Sequence, residues 1–399
     1  MAQRKPWARP RWRRPSSAPA FALAAALATV LLTAACTAAP AGSGTSAAAG
    51  ARGSGALAGG RAGTPAVTAA EARQVFDRYV ATAAKAVSPQ LASPELSLVT
   101  GVEQMVLTAT LASHSIVMKG TSSNAQAAYS SSLSVKPDFA VYTYGSPAFY
   151  LPEASGYPRF FVTSVERTLR GTDSTAGAGG AQVPPEGPAL MLFQQGGAGA
   201  PWLLASISQL PSGVTLPKLA TDGAGYVPTV PLSDASLVAQ PDDTGPLQAG
   251  VVDEGPASPA TRAVADGPLT TGIYQGAVNH VGGLTAPHGD VYQWELDGSS
   301  LPQFALRTAA GGALVFYAMT LNTTVAVPDV INKADPVRSG PPIQVPVGVQ
   351  MLLPPGRPAP LVELSSSQTL SFAATDPAAG NAKIQVIAIG GGLTGASGS

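Results

Sequence analysis

Three regimes of hydrophobic and polar positions follow one another along the chain. From Pro19 to Ala35, "PAFALAAALATVLLTAA" is apolar and uncharged, and it follows "MAQRKPWARPRWRR", which carries six positive charges and no acid. From Thr37 to Thr64 tiny residues take over, with no aromatic and almost no large aliphatic side chain. Beyond Thr68 the pattern becomes periodic. Ala72, Val75, Phe76, Tyr79, Val80 and Ala83 recur at helical spacing, Thr68 and Glu71 stand as N-cap and capping partner, and Pro89 closes the segment. "ELSLVTGVEQM", Glu95 to Met105, predicts a second helix continuing toward Leu111.

After Val135 the period shortens to that of strands. "DFAVYTYGSPAFYLP" alternates around a Gly-Ser-Pro turn, and "GYPRFFVTSVERTL" reads as a strand opened by Tyr157 and Pro158. "ALMLFQQGGAGAPWLLASISQL" predicts a hairpin turning at Gly196 to Gly199, with Trp202 on its return strand. A polar, Pro-rich stretch from Gln240 to Pro259 follows and is read as a linker. The second half repeats the plan loosely: "VYQWELD", a hairpin turning at Gly311 and Gly312, and a closing strand-turn-strand in "LSFAATDPAAGNAKIQVIAIGGG". Helices followed by antiparallel strands predict an α+β class. The expected architecture is two tandem helix-plus-antiparallel-sheet domains, 68–239 and 260–395, each similar to the cone-shaped fold named after nuclear transport factor two. One larger mixed sheet is the alternative.

The first two regimes set location. A charged start followed by an apolar run too short for the roughly 20 residues of a spanning helix reads as a signal peptide, residues 1–35. Ala34 and Ala35 before Cys36, the only cysteine of the chain, resemble a bacterial lipobox, with Thr33 as a departure where an aliphatic is usual. Cys36 is then the expected lipidation site, and residues 36–67 a disordered Ala/Gly/Ser tether. Arg13 and Arg14 are followed by Pro15, Ser16 and Ser17, so general secretion is favoured over the twin-arginine route. An ordinary signal cut near Ala35 or Ala39 is the competing reading. Removing residues 1–35 takes six of 23 basic residues and none of 23 acidic ones, leaving 17 against 23, a net of −6. That balance argues against nucleic acid as a partner. With no further cysteine, an extracytoplasmic fold must rely on its core, and abundant Ala, Gly, Pro and Thr with little Lys suggests an actinobacterial source.

"GYPRFFV" from Gly156, "ATDGAGYVPTV" from Ala220, "ADGPLTTG" from Ala265, "FALRTAAGGALVFYA" from Phe304 and "GGLTGASG" near the end carry a resemblance. They are similar to the pattern of an uncharacterised domain of predicted actinobacterial secreted lipoproteins, over most of Glu71 to Gly398. The resemblance implies a lipid-anchored protein at the extracytoplasmic face of the cell membrane. It assigns no activity and supplies no catalytic residue.

Enzyme signatures fail. Only His114, His280 and His288 are present, and there is no G-x-S-x-G elbow, Walker loop or H-E-x-x-H. His280, His288 and Asp290 lie within eleven residues, but the spacing matches no recurrent zinc site, and the stretch is read as a Gly/Pro-rich loop. No metal, cofactor or catalytic residue is expected. "TDPAAGN" and "QPDDTG" place acids where Asp turns the backbone. Tyr142, Tyr144, Phe149, Tyr150 and Tyr157 cluster in sequence, as core or as a ligand platform. Arg159 is either an edge-strand charge or an anchor for an acidic ligand. The candidate ligand site is a concave sheet face lined by Tyr142, Tyr144, Phe161 and Trp202, with Arg159 at its rim. The expected role is therefore non-catalytic binding of a small ligand or an envelope protein. A structural or assembly lipoprotein is the alternative, and an unrecognised hydrolase a more distant one.

Overall fold

The computed structural model describes residues 64–85, 93–118, 142–154, 156–169, 187–288, 291–326, 347–350 and 362–399, with short pieces at 343, 345 and 352–353. The expected signal peptide, Cys36 and most of the expected tether lie outside the described residues. No helix among the described residues is long and apolar enough to cross a membrane.

Helix α1 (Ala69–Ala83) forms as its pattern predicts: Thr68 Oγ1 accepts the Glu71 amide at 3.2 Å, and Ala72, Val75, Phe76 and Tyr79 are buried on one face. The capping box is only half made, because Glu71 Oε1 instead accepts the indole N–H of Trp202 at 3.0 Å. The single helix expected from Glu95 is divided. A 3-10 turn spans Ser93–Leu98, and α2 (Gly101–Met118) starts anew. Between them, the Thr100 amide donates to the Leu204 carbonyl at 2.8 Å.

The strands of the first half are β1 (Thr64–Pro65), β2 (Tyr142–Tyr144), β3 (Ala148–Tyr150), β4 (Glu153–Ala154), β5 (Arg159–Val165), β6 (Arg167–Leu169), β7 (Ala189–Gln195) and β8 (Trp202–Gln209). Those of the second half are β9 (Val291–Gly298), β10 (Phe304–Arg307), β11 (Ala313–Ala326), β12 (Glu363–Asp376) and β13 (Gln385–Gly398). The predicted β7–β8, β10–β11 and β12–β13 hairpins all form. The Gly-Ser-Pro turn instead passes the chain between two sheets, since β2 pairs β6 while β3 pairs β5.

Nine strands share one sheet, ordered β10-β11-β12-β13-β8-β7-β5-β3, with β9 pairing the distal part of β11. The expectation of two separate sheets is corrected here: β13 joins β8 at Ile389–Gln209, and residues 61–399 form one compact unit. Close approach explains the junction. A Cβ on Gly390 would collide with the Ile207 carbonyl, so glycine permits the two strands to meet.

Alternation along each strand sorts the core into layers. Phe161, Met191, Phe193 and Leu204 face α1, whereas Phe160, Val162, Leu190 and Leu192 face the opposite way. The latter pack on Phe304, Leu306, Leu314 and Phe316 of the second half, with the Phe160 and Phe304 rings 4.4 Å apart. The second half turns Val315, Tyr317, Met319 and Phe372 outward, toward α3 (Thr244–Glu254). The sheet thus folds over at its seam, and each half carries its own helical cover. The open edge of β10 is strapped by the preceding segment: Ala220 N–H donates to the Arg307 carbonyl and Arg307 N–H to that of Pro228, both at 2.9 Å.

The stretch 240–259, expected as a linker, is therefore a correction as well. Pro241 opens a 3-10 turn, α3 buries Gln248, Val251 and Val252, and Gly255 at φ 68° ends the helix. Gly245 is a packing residue, since a Cβ there would come within 2.8 Å of the Met319 sulfur. The remaining helices are α4 (Thr271–His288) and the short α5 (Val347–Gln350).

Candidate functional site

The sheet face proposed from sequence as a ligand pocket is filled. Helix α1 occupies it: Phe76 meets Tyr144 and Phe149 edge-on at 6.0 and 6.1 Å, and Tyr79 meets Phe193. Phe161 is completely buried, stacked on Phe193 at 4.8 Å, and Trp202 lies edge-on to it at 5.2 Å. These two are core residues rather than pocket lining. Tyr142 and Tyr144 are half-buried on β2, apart from the main sheet, and the Arg167 guanidinium lies over the Tyr142 ring at 4.5 Å. Arg159 lies at the start of β5 with its guanidinium 4.8 Å from the exposed Tyr157 ring. The five residues are not brought into one cavity.

A polar group that sequence reading missed lies beneath α2. The β8 edge diverges from β13 beyond the seam, which frees the Ile207 amide, and Glu103 Oε1 in the first turn of α2 accepts it at 2.9 Å. Burial pushes the Glu103 carboxyl up to about 7, against the pull of the Ile207 amide and of Arg167. Glu95 accepts the Tyr79 hydroxyl at 3.0 Å and is raised by burial. Burial also pushes Tyr144 up to about 12 and Tyr79 well above the ordinary range. Of these groups, Glu103 is the one that satisfies the split in the sheet. Glu103 has no local signature in "TGVEQM", because what it binds is more than a hundred residues away.

An open concavity lies in the second half. Between α4 and the distal part of β9 and β11, Ile273, Gly276 and Ala277 face Tyr292, Trp294, Leu321 and Thr323 across a groove of about 260 Å³. Register explains the lining. Tyr292 and Trp294 are two apart on β9 and so share a face, and Trp294 stands opposite Thr323. The aromatic rings form a connected set, with Tyr292–Trp294 at 6.0 Å and Tyr274–Trp294 at 6.1 Å. The indole is fixed because its N–H donates to the Val252 carbonyl at the end of α3, at 3.0 Å. The next residue of α3, Asp253, accepts the Leu296 amide at 3.0 Å and holds β9 in place. No lining residue among those described is charged. Thr323 also shares a 2.7 Å hydroxyl contact with Ser366, part of a Ser/Thr ladder between β11 and β12.

His280 and His288 fall within α4, not in a loop as expected, and His114 falls within α2; their side chains and Asp290 lie outside the described residues. No group of three or more His, Cys, Asp or Glu among the described residues is placed to hold a metal ion.

A family model described as a domain of unknown function, DUF8094, matches residues 63–398. The chain belongs to this family. The match covers the whole sheet and both helical covers, so the DUF8094 unit is the folded body that begins at β1. No curated protein and no solved structure matches the chain.

Proposed function

We propose that this DUF8094 protein is a lipid-anchored envelope protein of an actinobacterium, tethered through Cys36 at the extracytoplasmic face and binding a small ligand non-catalytically. The anchor reading is supported by the charged start, the apolar run and the Ala34-Ala35-Cys36 sequence. The binding reading is carried by one observation: the α4–β9 groove presents Tyr292 and a locked Trp294, with no charge among its described lining residues. Ligand sites are commonly concave and mainly apolar, with few orienting polar groups, and a groove of about 260 Å³ suits a small ligand. The ligand class is thus neutral and largely apolar. In this reading the two halves are copies of one helix-plus-sheet plan, of the cone-shaped kind, fused through β8 and β13. An assembly role would call for a contiguous exposed apolar patch. The large exposed apolar residues among those described, Met105, Tyr157, Val291 and Val362, lie on separate elements.

The mature chain has two tryptophans, Trp202 in the core and Trp294 in the groove. Titration with a neutral naphthylamine dye should give saturable energy transfer from Trp294, retained in Trp202→Phe and lost in Trp294→Ala. Equal dye binding by wild type and Trp294→Ala would refute the groove as the site.

A further inference from the structure

We infer that Arg159 and Tyr157 form a contact for anionic phospholipid headgroups, placed at the end of the fold nearest the anchor. The inference rests on the anchor reading for its setting, and on geometry for its site. The folded body begins at Thr64, which pairs with Ala154 in the β1–β4 ladder, and Tyr157 follows three residues later. Cys36 lies 64 − 36 = 28 residues before that point. On the tether expected from the sequence, a chain of that length reaches on the order of 30 Å, which in the anchor reading keeps this end of the body within range of the membrane surface at millimolar effective concentration.

The side chains suit such a surface. Tyr157 is 42% exposed, on the turn that leads into β5. Aromatic rings with a polar edge favour the headgroup layer. The Arg159 guanidinium lies 4.8 Å from the Tyr157 ring centre, and no carboxylate pairs with it among the described residues. Its Nε is buried without a hydrogen-bond partner, so the contact with a phosphate oxygen falls to the two terminal nitrogens of the guanidinium. A second cation stands on the same row of the sheet. Arg159 is opposite Gln195, Gln195 is opposite Trp202, and Arg78 of α1 donates to the Trp202 carbonyl at 3.3 Å. An arginine near an anionic leaflet is only weakly attracted to it. That is too little to recruit a free protein, but sufficient to orient one already tethered at millimolar concentration.

The test uses the mature chain 36–399 coupled through its only thiol, Cys36, to a maleimide lipid. This places it at a bilayer whether or not it is acylated in cells, so failure here is separate from failure of the anchor reading. Hydrogen exchange of peptides covering 153–163 is compared on neutral phosphatidylcholine vesicles and on vesicles with about one third phosphatidylglycerol. The expected result is exchange slowed roughly threefold or more on anionic vesicles only, abolished by high salt and by Arg159→Gln, and retained in part by Arg159→Lys. Equal exchange on both vesicle types, or an Arg159→Gln chain that behaves as wild type, overturns the contact. Equal slowing by inorganic phosphate on neutral vesicles also overturns it, by making the site one for free anions.

Discussion

At the scale of single residues, the decisive features are buried polar groups that close the seam. Glu103 holds the freed Ile207 amide from a half-buried position, and its carboxyl is raised to about 7. A carboxyl raised in the folded state binds its proton more tightly there than in the unfolded chain. Its contribution is therefore fully present below the unfolded value near 4.5 and is lost as pH rises toward 7. Asp253 and Asp376, each raised to about 6 chiefly by burial, act in the same direction. Asp234 opposes them, since bonds from Ser236 and Arg307 lower it to about 2, and its contribution fades only below about pH 4. The melting temperature should thus rise as pH falls from 8 to 5. Glu103→Gln keeps an acceptor for Ile207 and should flatten that rise. At pH 8 the variant should be the more stable by on the order of 1–3 kcal/mol, discounted for partial exposure. Parallel pH profiles for wild type and variant would show that Glu103 does not titrate in this window.

At the scale of elements, strong periodicity was legible and tertiary proximity was not. Helix α1 and the three hairpins followed from apolar spacing, the Thr68 cap and Gly-rich turns. Glycine and proline signal breaks, so the sequence of α3 reads as a linker. Here Gly245 lets the helix press on Met319, and Gly255 marks only its end. The Tyr142–Trp202 pocket failed for a related reason: alternation places aromatic side chains on a sheet face, but does not say that α1 covers it. The alternation of Tyr292 and Trp294 was visible in "VYQWELD", while its partner α4 comes into place only by packing. The β8–β13 seam depends on a backbone approach that a single methyl would block. Gly390→Ala should cost several kcal/mol in denaturant unfolding, in the range of severe overpacking. Gly380→Ala, whose Cβ would meet nothing closer than 3.8 Å, should cost little. Equal small losses in both would mean that the seam tolerates separation.

At the scale of the whole molecule, one sheet with two helical covers predicts one cooperative unit. The core between the halves joins Phe160, Leu190 and Leu192 to Phe304, Leu314 and Phe316, so neither half retains its interior alone. Calorimetry of residues 61–399 should show a single transition, with calorimetric and van't Hoff enthalpies in agreement. Two transitions assignable to 68–239 and 260–395 would restore the two-domain view. The body so formed is proposed to act at a membrane surface, and that setting depends on Cys36. The direct measurement is the intact mass of the protein from the membrane fraction of an actinobacterial host, beside a Cys36→Ala variant. The account predicts a wild-type chain that begins at Cys36 and carries diacylglycerol, and a variant that is left uncleaved or released. Cleaved, unmodified and secreted chains in both cases would contradict it.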